Sequence, residues 1–134
     1  MGQNFERHEL QLLDEIEEVE IETMHPDTKQ PHRATIWVVV IGPDVYVRSV
    51  NGAQAHWYQQ LSEQSAGTIH ADERQIPVHA IPVLDIPTQN RVNDAYQRKY
   101  EQYPQDVAWI VAPEVQRTTL KVMRRAHPEE RAPG

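Results

Sequence analysis

A chain of 134 residues with a net charge of −7 and no cysteine is predicted to form one domain. The missing cysteines exclude disulfides, thiolate catalysis and cysteine-based metal sites, and the negative charge argues against general nucleic-acid binding, which needs a basic surface. No segment approaches the ~20 apolar residues that span a bilayer, and no signal peptide opens the chain, so we expect a cytoplasmic bacterial protein with no membrane partner.

The first predicted elements are a short amphipathic helix within residues 1–18 and a strand that follows it. Leu10, Leu13 and either Ile16 or Glu17 fall at helical spacing. Val19 and Ile21 then alternate with glutamates, which predicts a strand with one solvent-facing side. A turn between prolines at positions 26 and 31 leads into the next strand.

Residues 35–41 are seven β-forming residues in a row, with apolar side chains on both faces. One face carries Ile36, Val38 and Val40, and the other carries Trp37, Val39 and Ile41. A strand that is apolar on both faces must be covered on both sides. A three-residue loop at 42–44 and a partner strand at 45–50 would place Arg48 on the face of Ile36, with Ser49 opposite Trp37.

Beyond the hairpin, the pattern predicts a helix over residues 52–63 with Trp57 in its apolar stripe. Two strands follow at 68–70 and 75–83, and prolines in the second predict an edge or bulged strand. The remaining predicted elements are a helix at about 89–103 capped by Asp85 or Thr88, a segment at 107–111 that fits either helix or strand, a last strand at 118–125 and a flexible tail at 127–134.

Several of these segments resemble a known bacterial family of unassigned function. They are TIWVVV at 35–40, DVYVRSVNG at 44–52, HWYQQL at 56–61, KY at 99–100 and TTLKV at 118–122. That family is grouped with the FMN-binding split β-barrels, which include pyridoxamine-phosphate-oxidase-like and deazaflavin-dependent nitroreductase-like proteins. The resemblance implies a mostly β (α+β) fold, an antiparallel split β-barrel with two or three packed helices, in one domain over residues 1–126 whose barrel and helices occupy 19–126.

Arg48 is the first candidate for a binding site. A cation on an otherwise apolar strand needs an anion or a route to water, and a helix predicted to start three residues later would attract an anion. An ion pair with Glu20 or Glu22 is the structural alternative. The resemblance implies a wider set of cofactor contacts, namely Arg33, Thr35, Trp37, Arg48, Ser49, Asn51, Gly52 and Gln54. Many flavin-binding relatives carry another basic residue at the helix start, where this chain has Gln54.

The other aromatic and ionisable candidates are weaker. Trp57 is predicted to lie in the core, and Trp37 at an interface or pocket wall. The histidines show no metal-binding spacing, and His70 and His79 could meet on adjacent strands but lack a third ligand, so no metal site is predicted. His32 and His56 are the candidates for general acid–base catalysis, since the histidine pKa lies near neutrality.

Three functions remain open from the sequence. The first is a flavin- or deazaflavin-binding oxidoreductase acting on a small organic substrate, with FMN or a deazaflavin as cofactor. The second is a cofactor-free isomerase, cyclase or lyase, and the third is a non-catalytic dimeric protein that binds a small molecule. A homodimer is expected in each case, because the apolar second face of residues 35–50 requires a cover and split barrels usually pair.

Overall fold

Within residues 4–125, which the computed structural model describes, seven antiparallel strands form one curled half-barrel sheet with five helices packed on it. The strands are β1 (Val19–Met24), β2 (Pro31–Ile36), β3 (Val38–Ile41), β4 (Asp44–Val47), β5 (Ala66–Ala71), β6 (Arg74–Pro82) and β7 (Leu120–Arg124). The helices are α1 (Arg7–Glu15), α2 (His56–Gln64), α3 (Ile86–Lys99), α4 (Pro104–Ile110) and α5 (Pro113–Gln116). The predicted mostly β split-barrel class is therefore confirmed, and the predicted tail at 127–134 lies outside the described residues.

The barrel is split at Trp37. The strand order β2-β1-β5-β6-β7-β4-β3 puts β2 and β3 at opposite edges of the sheet, although only Trp37 separates them along the chain. β2 pairs with β1, and β3 pairs with β4. The prediction of one continuous strand over 35–41 is wrong for this reason, because the chain leaves one edge of the sheet and joins the other at this residue.

The β3–β4 hairpin is one residue tighter than predicted. Ile41 pairs with Asp44, so the loop contains only Gly42 and Pro43, and Gly42 has a φ of 59°. Val38 therefore faces Val47. Because strand side chains alternate, a shift of one residue moves every side chain to the opposite face. Arg48 accordingly extends from the face of Val39 and Trp37, and the prediction that it shares a face with Ile36, Val38 and Val40 is wrong.

Two cores flank the hairpin. Ile36 and Val38 pack inside the barrel with residues of α1, α2 and the other strands. On the opposite face, Val39 and Tyr46 pack against side chains of α3, α4 and α5. The chain's own helices thus bury the second apolar face, with Val39 only 1% exposed. The argument that a partner subunit must cover this face fails, because α3 supplies the cover.

β6 is a central strand, so its predicted edge position is wrong. It pairs with β5 from Arg74 to His79 and with β7 from Val78 to Pro82. Pro77 therefore lies in the part paired with β5 alone, and Pro82 in the part paired with β7 alone. A proline lacks the N–H that a second partner would need, so this staggered pairing accommodates both prolines inside the sheet.

The helices α3, α4 and α5 pack on the face of the hairpin that carries Val39 and Tyr46. α3 begins three residues before its predicted start, and the Asp85 carboxylate caps it by accepting a 3.0 Å hydrogen bond from the Thr88 N–H. The ambiguous segment at 107–111 belongs mostly to α4. None of the described helices is both long and apolar enough to cross a membrane.

Candidate functional site

A cavity of about 370 Å³ lies beside the split in the barrel. It runs between the end of β2 and the segment that follows β4, with α2 and α4 completing its walls. Its polar lining consists of Glu18, Thr35, Arg48, Asn51 and Asp106. Its main apolar lining consists of Ile36, Trp37, Val50, Trp57 and Ile110. The volume falls in the range typical of small-molecule sites.

Two tryptophans give the cavity rigid aromatic walls. Trp37 stacks on Tyr100 of α3 with the ring centroids 3.8 Å apart and the planes 4° from parallel. Trp57 is 6% exposed and packs in the barrel core, which confirms its predicted core position. Since both indoles are held by packing, the cavity has a preformed wall for a planar group.

Arg48 is almost completely buried and makes five hydrogen bonds to uncharged acceptors. Its Nε donates to Thr119 Oγ1 (2.9 Å), and its Nη1 donates to Asn93 Oδ1 (2.7 Å) and Ile110 O (3.1 Å). Its Nη2 donates to both oxygens of Gln89, at 2.6 Å to Oε1 and 3.5 Å to the backbone O. Burial lowers the pKa of the guanidinium to about 10. Every N–H donor of the side chain is thus engaged within the protein.

The structural alternative for Arg48, an ion pair with a glutamate of β1, is wrong. Glu20 and Glu22 accept hydrogen bonds from Arg33 at 3.3 and 3.2 Å, and Glu22 also contacts His70 at 2.7 Å. Within residues 4–125, the guanidinium of Arg48 has no carboxylate at ion-pair distance. Its positive charge is therefore solvated by amide, hydroxyl and carbonyl dipoles and by the Tyr96 ring, whose centroid is 5.5 Å from Cζ.

The anion site predicted at the start of the helix is not assembled from Arg48 and Ser49. Ser49 Oγ donates to Gly52 O at 2.7 Å, and the Ser49 N–H donates to Thr118 Oγ1 at 2.9 Å. α2 begins at His56, after a 3₁₀ turn at Gly52–Gln54, and Asn51 makes no side-chain cap to that turn. The hydroxyl and N–H donors of Ser49 are thus used within the protein.

Some of the other predicted cofactor contacts line the cavity, and the rest lie around it. Thr35, Trp37 and Asn51 line the cavity together with Arg48, whereas Arg33 lines a neighbouring groove. Ser49, Gly52 and Gln54 border the same segment without lining the cavity.

The histidines within residues 4–125 lie outside the cavity lining. The rings of His32 and His56 are 6.2 Å apart and both residues are exposed. His70 pairs with Gln75 and His79 with Ala66, so His70 and His79 lie at opposite ends of the β5–β6 ladder. Within the described part of the chain, the one group of three metal-ligand side chains is Glu6, His8 and Glu9, and Arg124 binds Glu9 at 3.0 Å.

Two acidic residues at the cavity were not predicted. Glu18 precedes β1 and Asp106 lies in the first turn of α4. Both are exposed, and neither side chain has a hydrogen-bond or ion-pair partner among residues 4–125. No motif marks them in the sequence, because only the packing of α4 over the hairpin brings Asp106 near the end of β2.

The chain belongs to the bacterial family described as "Uncharacterized protein conserved in bacteria (DUF2255)", which matches residues 9–122. No curated protein matches this chain.

Solved structures share the fold at low identity. A conserved hypothetical protein of Mycobacterium tuberculosis is 15% identical with a TM-score of 0.60, covering 95% of this chain and 82% of that one. A putative pyridoxamine 5'-phosphate oxidase of Listeria innocua is 11% identical with a TM-score of 0.58, covering 88% and 90%. An F420-H2 dependent reductase is 9% identical with a TM-score of 0.57, covering 79% and 92%. The scaffold is thus one that cofactor-dependent oxidoreductases also use.

Proposed function

We propose that this family member binds the ring of a flavin or deazaflavin in the cavity beside Trp37 and acts as an oxidoreductase on a small organic substrate. The observation that carries the proposal is the 370 Å³ cavity walled by the stacked Trp37 at the open edge of β2. The shared fold with a reductase named for F420-H2 and with a putative pyridoxamine 5'-phosphate oxidase supports the same choice.

The cavity offers suitable contacts for a planar ring with polar edges. Trp37 and Trp57 provide apolar surface, and Thr35 and Asn51 provide polar side chains without partners among residues 4–125. Within the described residues β2 has a strand neighbour on one side only, so backbone groups of its other edge are free to contact a ligand. A bound flavin would supply the redox chemistry, while these residues would orient the ring and limit its contact with water.

A cofactor-free enzyme or binding protein is the second candidate. The observation that favours it is the acidic pair Glu18 and Asp106 beside an Arg48 whose donors are all engaged. Free carboxylates at a cavity can move protons on a small substrate without a cofactor. A homodimer stays a prediction for both candidates, and the interface would have to use surfaces other than the buried second face of the hairpin.

Trp37→Ala is expected to weaken riboflavin binding about tenfold, because one aromatic wall of the cavity is removed. Titration of riboflavin fluorescence against the purified protein measures the change. Trp37→Phe keeps an aromatic plane and should retain most of the affinity. The matched control is Trp109→Ala, which removes a tryptophan that is 66% exposed and does not line the cavity. Equal losses in the Trp37 and Trp109 variants, or binding of neither riboflavin nor FMN by the unmodified protein, would reject the proposed site.

Gly52→Ala and Gly42→Ala are each expected to lower the free energy of unfolding by roughly 1–2 kcal/mol, because a side chain disfavours positive φ. The φ angles are 83° at Gly52 and 59° at Gly42. Gly52 follows the cavity residue Asn51, whereas Gly42 lies in the distant hairpin loop. Chemical denaturation should therefore show equal destabilisation of the two variants. Riboflavin titration should show weaker binding only for Gly52→Ala. Weaker binding in both variants would mean that stability alone governs affinity.

A further inference from the structure

We infer that the cavity selects an unphosphorylated, uncharged planar ligand of the riboflavin type and disfavours its phosphate ester. This inference rests on the proposed function, since it concerns the same cavity. It departs from the expectation that Arg48 and the start of the following helix bind an anion.

The positively charged residue at the cavity, Arg48, has no unoccupied hydrogen-bond donor. Among the described residues that line the cavity, Arg48 is the only lysine or arginine. All five of its hydrogen bonds go to protein acceptors, and the side chain is 1% exposed. A phosphate would have to displace Asn93, Gln89 or Thr119 to reach the guanidinium, and the displaced acceptor would lose its hydrogen bond from Arg48.

The neighbouring basic residue is also engaged. Arg33 lies in the adjacent groove and donates to Glu20 and Glu22. The backbone N–H groups of Ser49 and Gly52 already bond to Thr118 Oγ1 and Ser49 O. These two backbone donors at the end of β4 are therefore occupied.

The free charges at the cavity are negative. Glu18 and Asp106 both line it and are exposed, without hydrogen-bond or ion-pair partners in the described part of the chain. A phosphate monoester is largely dianionic above its second pKa of about 6, so both carboxylates repel it. Ribityl hydroxyls and a ring N–H are donors, and the same two carboxylates can accept hydrogen bonds from them.

Parallel titrations of riboflavin and FMN test the inference, because the two ligands share a fluorophore and differ only by the phosphate. At low ionic strength we expect riboflavin to bind at least about tenfold more tightly than FMN. The difference should shrink as salt is added, since exposed charges are screened. In the double variant Glu18→Gln/Asp106→Asn, FMN affinity should rise towards that of riboflavin.

The matched control is Glu63→Gln/Asp94→Asn, which removes two exposed carboxylates that do not line the cavity and should leave the preference for riboflavin unchanged. FMN binding as tightly as riboflavin would overturn the inference while the proposed function stands. An unchanged preference in the Glu18/Asp106 variant would overturn the role of the two carboxylates. Binding of neither ligand would instead overturn the proposed function, and the inference with it.

Discussion

Replacing Arg48 by methionine is expected to lower the free energy of unfolding by about 3 kcal/mol and the melting temperature by roughly 10 °C. Methionine fills much of the same volume but leaves the acceptors of Asn93 and Thr119 without their donor and removes one of the two donors to Gln89 Oε1. Because methionine is uncharged, the variant no longer buries a cation without an anionic partner, and this offsets part of the loss. Thermal and denaturant unfolding monitored by circular dichroism measure both quantities.

The contacts of Arg48 explain why the loss should be large. They join the end of β4 to α3 through Gln89 and Asn93, to α4 through Ile110, and to the residue before β7 through Thr119. Arg48→Lys keeps the charge but has only three donors on one atom, so it should recover part of the stability. The control Arg33→Met removes two solvent-accessible ion pairs and should change stability by no more than about 1 kcal/mol. Equal effects of Arg48→Met and Arg33→Met would contradict this structural role.

Much of the hairpin could be predicted from the sequence, whereas its register could not. The alternation of apolar residues correctly separates Ile36 and Val38 from Val39 on opposite faces. The same pattern fits a two- or a three-residue loop, because Gly42-Pro43-Asp44 suits either length. That single residue decides on which face Arg48 lies. The pattern also predicts that another element packs on the second face, but it does not predict that this element is α3.

The site was predicted only in part, for a related reason. Arg48 is noticeable in the sequence as a cation on an apolar strand, but its side-chain partners lie 41 to 71 positions further along the chain. Neutral partners leave no charge pattern that could reveal them. Asp106 reaches the cavity through helix packing, and α4 itself was ambiguous in the sequence. The cavity-lining residues that local patterns singled out as cofactor contacts all lie at or after the strands β2 and β4, and none lies on α4.

Lys99 and Tyr100 together cover the edge of β3 next to the split. Tyr100 Oη accepts a 3.2 Å hydrogen bond from the Val38 N–H, and Lys99 Nζ donates to Val38 O at 2.7 Å. Lys99 Nζ also donates to Leu13 O at 2.8 Å, which ties α1 to the same edge. Burial lowers the pKa of Lys99 to about 8, and the charge of Asp14 opposes this shift only partly.

Lys99→Met is expected to destabilise the protein by about 2 kcal/mol at pH 9.5, because the carbonyls of Val38 and Leu13 lose their donor. The effect should be smaller at pH 7. Between the folded pKa of about 8 and the unfolded value of 10.5, the unfolded state binds more protons, so the contribution of Lys99 to stability rises with pH. A neutral amine still has two N–H donors for the two carbonyls, so deprotonation removes the penalty of burying the charge without breaking either bond.

Denaturant unfolding of the unmodified protein and Lys99→Met at pH 7.0, 8.5 and 9.5 measures this dependence as the difference between the two free energies. The matched control is Arg98→Met, which removes the exposed cation next to Lys99 on α3 and should give a difference that stays flat with pH. A Lys99→Met difference that shrinks as the pH rises would show that the protonated amine is the stabilising form. In that case the charge of the ammonium, through its attraction to the two carbonyls, would outweigh the effect of burial at this edge of the barrel.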